Sequence, residues 1–507
     1  MEQQKSRTIE NLKDAFDARK NYYSNRASCI YPVHLRPGTD LHIVYLNYWT
    51  LKNGISADKL LINFRVYDKA GFLVLRETQS SVASHNQISI RKILSERTMS
   101  DLDNFDGMVE VETISTANIR FPFPGIIGIY QAGTLFSTVH AAGRVKNPDE
   151  PQRVIYTQES DWTCKFGENV TPFFHYFNGP TVPRKDTISV VLRAANGKPI
   201  ETKDVSIAHL PAFGSELFLV SDLFDNALLK DGCFVSVSVE HNSIFPRLVV
   251  GNYFRDAHYL EVTHSFPIIE KNDYCRLDEK VSFQSMLCAY TNAELDLKVH
   301  VFPTNCEGDF TAKIMHQRHD HPALVEKVGF VNYTQEMLSE PITYQLEDTE
   351  RFLCVQMSGA RVPSRFNGSY IYTVKHLDSA YSTDIADGAD SSAYPPKYRH
   401  WGYALVDEGF DTAILVRNST HHPASTRASN GVLKLYGDDF QKFVNVRVEA
   451  ESAASIKVSE HINLGKQEKG QRPRFISWLL EMEEPTCETF WVGYRETDGA
   501  IFGDHGM

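Results

Sequence analysis

Alternation of apolar and polar side chains recurs along the chain. MVEVETI (108–114), FVSVSVE (234–240) and VNVRVEA (444–450) set valines on one face and polar groups on the other. That two-residue period belongs to a half-buried strand. Turn signals such as YDKAG (67–71), AANGK (194–198) and YGDD (436–439) separate such stretches. Helical periodicity is clear only near the start, where Ile9, Leu12, Phe16 and Tyr23 form a stripe after a capping Thr8. The pattern predicts an all-β chain with a short N-terminal helix over 8–23.

Following the alternating strands downstream exposes a repeat. DGMVEVET leads to NIRFPFPGIIGIY and LFSTVHAAGR, and DGCFVSVSVE leads to SIFPRLVVGNY and YLEVTHSF. RFLCVQMSG leads to ARVPSRFNGSYIY and AYSTDIADG, and PRFISWLLEM leads to EPTCETFWVGY and AIFGDHGM. The front halves match as well. IVYLNYW, FFHYFNG, SMLCAYTNA and AILVRNS end near Asn47, Asn178, Asn292 and Asn418, and each precedes a hairpin-like pair. Trp162 and Trp401 precede Asn178 and Asn418 by 16 and 17 residues (178−162, 418−401), as equivalent first-strand aromatics at a domain edge.

The closing strands set the period. His140, His264, Asp384 and His505 are separated by 124, 120 and 121 residues (264−140, 384−264, 505−384). After an N-terminal extension (1–28), four units follow at 29–150, 151–270, 271–394 and 395–507. Their junctions, near 144–153, 268–276 and 388–399, are short and carry Pro, Gly or charge, as between domains packed on one another. Each unit offers six to eight short strands. That number fits an antiparallel β-sandwich of the immunoglobulin or fibronectin-III type. The likeness is one of fold alone, because no Cys…Trp…Cys pattern is present and fold does not fix function.

Composition narrows the function classes. Of 507 residues 42% are hydrophobic and 23% charged, and the formal net charge is −12. The chain can bury several cores, and without a long basic run it argues against nucleic-acid binding. No stretch reaches the ~18 apolar residues that span a bilayer, and the polar N-terminus lacks the core of a secretory signal. Eight scattered cysteines without a C-x-x-C pair fit reduced thiols, and the expectation is a soluble cytoplasmic protein, with export by another route left open.

Three groups of residues are candidates for chemistry. His258, Glu261 and His264 look like a metal triad, but i, i+3, i+6 spacing on a strand puts the histidines ~20 Å apart and Glu261 on the other face. His316, His319 and His321, beside Asp320 at the end of the third unit's hairpin, have the ligand types for zinc or another divalent metal. His316 would join from a turn. The alternative is a solvated hairpin tip. The register-matched His140, His264, Asp384 and His505 would form one ligand-binding set if the units closed into a ring, and would stay apart in a line. Arg120, Arg247, Arg361 and Arg365 lie near Phe121, Phe123, Phe245, Phe366 and Trp491 at the proline turns, suited to an acidic glycan or a partner protein, or to covering a domain seam.

Phosphate-loop, calcium-loop, dinucleotide and nucleophile-elbow motifs are missing. The leading expectation is a non-enzymatic binding or assembly protein that recognises a glycan or protein partner in interdomain grooves and can form a homo-oligomer. The N-terminal segment would pack on the sandwiches or mediate oligomerisation. The alternatives are a metal-dependent enzyme acting on a carbohydrate or other polar substrate, and a structural component of a surface layer or virus particle.

Overall fold

The computed structural model describes residues 25–507 except 55, 81–82, 98–101, 116–124, 141–142, 147–153, 183–184, 242–243, 246, 268–284, 304–309, 319–320, 334–341, 347–349, 360–362, 364, 391–397, 408, 419–426 and 463–473. The expected N-terminal helix at 8–23 lies outside the described residues. So do the boundaries placed at 150, 270 and 394.

Four antiparallel β-sandwiches follow one another, each made of two sheets. Counted in chain order, eight main strands in each unit take the same places. The outer sheet runs first–sixth–third–fourth and the inner sheet fifth–second–seventh–eighth. In the first unit these sheets face each other through Cys29, Tyr31, Phe64 and Val111 on one side and Ile43, Tyr45 and Ile126 on the other. In the second unit Val190, Leu192 and Val237 oppose Phe174, Tyr176 and Val250.

The two layers differ in what they bury, and the sequence reflects it. Fourth strands are the edges of the outer sheets. In Pro199–Ser206 and Gln441–Val448 the side chains are mostly exposed. In the first, second and fourth units the second strands are buried on both faces, so Val170–Phe177 and Asp411–Asn418 read as nearly continuous apolar runs, while Leu295–Val301 of the third unit alternates and leaves Lys298 exposed. Their second faces pack on neighbouring units. Phe173, Val249, Leu260 and Val262 of the second unit join the first unit's core. Ala413, Leu415, Phe490 and Val492 of the fourth join the third's. Val44, Ile127, Ile129 and Phe136 of the first join the fourth's.

This head-to-tail packing closes. The eighth strands, Leu135–His140, Tyr259–His264, Thr383–Asp390 and Ile501–His505, contact one another in the order first–second–third–fourth–first. The units therefore form a ring with their closing strands at its centre. Heterologous contacts make a ring when their rotation closes, and here four copies within one chain achieve it. At the seam between fourth and first units, Leu46 N–H donates to Tyr403 Oη at 2.5 Å, and His85 Nδ1 and Ser477 Oγ lie 2.7 Å apart. Trp401 stacks on Tyr48 with ring centroids 5.6 Å apart. Trp162, by contrast, is buried inside the second unit's own core.

The seam between second and third units is built differently. Glu261 is buried there and accepts from Lys165 Nζ (2.8 Å), Asn252 Nδ2 (3.0 Å), Ser382 N (3.0 Å) and Ser382 Oγ (2.9 Å). Asn367 Nδ2 donates to Asp161 Oδ2 at 2.6 Å across the same seam. A buried carboxylate needs this many donors to offset its lost hydration.

Short helices that the sequence pattern does not predict also occur. Tyr48–Asn53, Ile90–Arg97 and Val220–Leu223 are α-helical. They are too brief to show several turns of periodicity; Ile90 and Leu94 supply one buried pair at i, i+4. The asparagines that end the second strands act locally. Asn47 accepts from Thr50 N as a helix cap, and Asn178 Nδ2 donates to the carbonyls of Leu210 and Pro211.

Candidate functional site

The centre of the ring brings three of the four register-matched residues together. Each closing-strand residue sits opposite an apolar partner on the seventh strand: His140 opposite Ile127, His264 opposite Val249, Asp384 opposite Ile371 and His505 opposite Phe490. The ring centroids of His264 and His505 lie 4.5 and 4.7 Å from that of His140, edge to face. One ligand nitrogen from each of the three imidazoles lies within 4.8 Å of the others.

Hydrogen bonds fix two of these rings. His264 Nδ1 donates to the carbonyl of Ser265 at 3.1 Å, and His140 Nδ1 faces the Asp504 carboxylate at 3.0 and 3.2 Å. With Nδ1 engaged, Nε2 is the nitrogen that each of these rings has left to offer a ligand. Burial, followed by Arg247 and His140, keeps His264 neutral, its pKa far below the usual imidazole range. Burial acts to raise the Asp504 carboxyl, but His140, as charge and donor, together with His505 holds it below the ordinary carboxylate range. Ser265 Oγ donates to Glu159 at 2.6 Å, and burial raises that carboxyl to about 7.

Asp384 does not join them. Thr383 Oγ1 donates to Gly503 O at 3.4 Å, and Ile385 packs against Gly503, so these two face the fourth unit's closing strand. Adjacent strand residues face opposite sides. Asp384 therefore turns away and accepts from Thr163 N at 2.8 Å in the second unit; burial pushes its carboxyl up. Four equal positions in sequence are three in space, with Asp504 as the neighbouring acid that the register had not included.

The other candidates are dispersed. His258 sits in a turn with φ 50° and its Nδ1 faces Tyr253 Oη at 3.1 Å; Glu261 belongs to the seam and His264 to the centre. The apparent triad is three separate sites. His316 is corrected from a turn to a strand, Phe310–Arg318, where it is buried with its Nδ1 3.1 Å from Tyr344 Oη. His319 and the side chain of His321 lie outside the described residues. Arg247 stacks over Phe266 at 4.9 Å beside the histidine centre. Arg120, Arg361 and the side chain of Arg365 lie outside the described residues.

One outward surface has the chemistry of a recognition site, and nothing in the sequence singled it out. On the fourth unit's outer sheet, Phe443, Lys434 and Leu479 align in one row, and Asn445, Val432 and Glu481 in the next. Phe443 is 56% exposed. Beside it an open groove of about 500 Å³ is lined by residues that include Asn430, Asn445, Arg447, Glu481 and Glu483. Glu481 accepts from Arg399 Nε at 3.0 Å and pairs with Lys434 Nζ at 2.6 Å. Although burial acts to raise it, these two cations hold the Glu481 carboxyl below its ordinary range. The signal lay in the outward set of FVNVRVEA (443–450): odd positions Phe443, Asn445 and Arg447 carry an aromatic ring, an amide and a guanidinium.

No helix among the described residues is long and apolar enough to cross a membrane. No family model matches the sequence, and no curated protein matches it. Among solved structures, the chain has a slight likeness to trypsin-activated alpha-2-macroglobulin from Escherichia coli, with 8% identity and a TM-score of 0.10 over 92% of this chain. It spans 30% of that chain's length, and a likeness this slight carries no argument about fold or function.

Proposed function

We propose that this chain is a non-enzymatic recognition scaffold that binds a glycan on the outward face of its fourth unit. The observation that carries this reading is the groove beside Phe443. An exposed ring offers a stacking face for a sugar, and Asn430, Asn445 and Arg447 bring amide and guanidinium donors to the adjoining groove. The volume, about 500 Å³, lies within the range of ligand clefts. The ionised Glu481 adds an acceptor for hydroxyl donors.

Where described seams are tightly packed, as at Phe136 against Phe410 and Phe475, the reading moves outward. In this account the ring's task is rigidity. The inner sheets of the first, second and fourth units pack on a neighbouring core, which holds their outer sheets at fixed angles.

An array of neutral and acidic oligosaccharides tests this. The wild-type chain is expected to bind at least one class of glycan, and Asn445→Ala or Arg447→Ala to weaken binding about tenfold each, the loss of one hydrogen bond of ~1.4 kcal/mol. Absence of binding to every glycan would turn the reading toward a protein partner.

A further inference from the structure

We propose that His140, His264 and His505 form a zinc-class divalent metal site that clasps the first, second and fourth units at the centre of the ring. Three separate closing strands deliver these imidazoles, so the site exists only in the closed ring. One nitrogen of each already lies within 4.8 Å of the other two. Zinc–nitrogen bonds of ~2.0–2.1 Å in tetrahedral geometry place ligand nitrogens ~3.4 Å apart. Small side-chain rotations close that difference, since all three residues sit near strand ends.

The surroundings match what a metal requires of its ligands. Metal-binding imidazoles donate their other nitrogen to a carboxylate or a carbonyl, which fixes the tautomer. His140 has Asp504 in that place and His264 has Ser265 O. The His505 amide donates to Asp504 Oδ1 at 2.8 Å, tying the acid to the third ligand's backbone. The side chains of His140 and His505 are 12% and 29% exposed, while His264 is buried, so the centre opens to solvent on the side of His505. Three imidazoles leave a fourth tetrahedral position for water. Asp504 supplies one negative charge against the cation, and Arg247, stacked on Phe266, is the nearby positive group.

The sequence placed metal chemistry at His316, His319 and His321. The central site is independent of that cluster and of the glycan-binding face. It gives the ring a purpose for histidines at a period of about 120 residues.

The test uses the full chain, stripped with a chelator and titrated with zinc, and in parallel with cobalt(II). The expected result is near one zinc per chain by elemental analysis, the visible bands of tetrahedral cobalt, and a thermal midpoint that rises with zinc. His140→Ala and His505→Ala should each weaken zinc binding at least tenfold and remove the midpoint shift. His505 is the most exposed of the three, so its variant is expected to keep the fold, checked by circular dichroism. A wild-type chain that takes up no near-stoichiometric zinc or cobalt at neutral pH overturns the proposal. Uptake undiminished in both variants also overturns it, and places the metal elsewhere among the 19 histidines.

Discussion

Glu261→Ala is expected to lower the stability of the chain by about 3–5 kcal/mol, the cost of breaking a buried ion pair from one side. The wild-type carboxylate accepts four hydrogen bonds from Lys165, Asn252 and Ser382. Alanine leaves the Lys165 ammonium, which is 22% exposed at its side chain, facing a carbonyl of Ala380 and no carboxylate. It also leaves the Asn252 and Ser382 donors short of an acceptor where water reaches poorly. The effect falls on the seam between the second and third units, where Tyr381 also packs against Phe254 and Tyr259. The first unfolding transition in denaturant is the measurement, because a multi-unit chain need not unfold in one step. The variant Glu261→Gln should lose less, keeping one acceptor oxygen. The double change Lys165→Met with Glu261→Leu should recover part of the loss by removing both charges. A wild-type midpoint in Glu261→Ala would mean that this seam does not carry the ring.

Phe136→Ala is the second large effect. Phe136 belongs to the first unit, yet its ring packs against Phe410, Phe475 and Phe502 of the fourth, with centroids 5.9, 6.3 and 6.2 Å away. Its carbonyl accepts from Tyr259 Oη of the second unit at 2.7 Å. Removing a buried phenyl costs ~3–5 kcal/mol when the cavity cannot collapse, and the edge-on aromatic pairs add to that. Three units meet here, so relaxation is restricted. Phe136→Leu should lose less than half as much. The loss should appear in denaturant midpoints and in faster proteolysis between the first and fourth units; an effect no larger than that of an exposed residue such as Phe72→Ala would contradict the packing.

The fold was legible where chemistry alternates and hidden where it does not. The outer strands, such as 234–240 and 444–450, read directly as half-buried strands, and the repeat followed from their order. Inner strands such as Val170–Phe177 lose alternation because both faces are buried, whereas Leu295–Val301 of the third unit keeps it. The sequence held the four closing-strand positions in register but could not show where each strand begins. Asp384 is the second residue of Thr383–Asp390, whereas the three histidines end their strands. Asp504 was missed, and Glu261 was singled out only as part of a metal triad, because a buried acid looks like any other of the 64 acidic residues until its donors arrive from distant segments. Short helices such as Tyr48–Asn53 were missed because a single turn shows no period.

Sequons show the same limit. Asn367 and Asn418 satisfy the N-x-S/T pattern, but both are buried, and Asn418 Nδ2 donates to the carbonyls of Arg427 and Val448. The Asn418 amide ties its own sandwich and the Asn367 amide crosses the seam to Asp161, so neither is available for modification in the folded chain.

Closure of the ring is the central claim, and an intramolecular cross-link tests it most directly. Thr134 and Asp498 are exposed, on the last hairpins of the first and fourth units, and Arg495 donates to the carbonyl of Thr134 at 3.4 Å. In an open line these hairpins would lie at opposite ends of the four units. With cysteines at both positions, a short thiol-reactive cross-linker should join Thr134→Cys to Asp498→Cys within one chain, in high yield and independently of protein concentration. The described native cysteines are buried or half-buried and should react slowly. Products linked only between chains, or no 134–498 link by mass spectrometry, would contradict the ring.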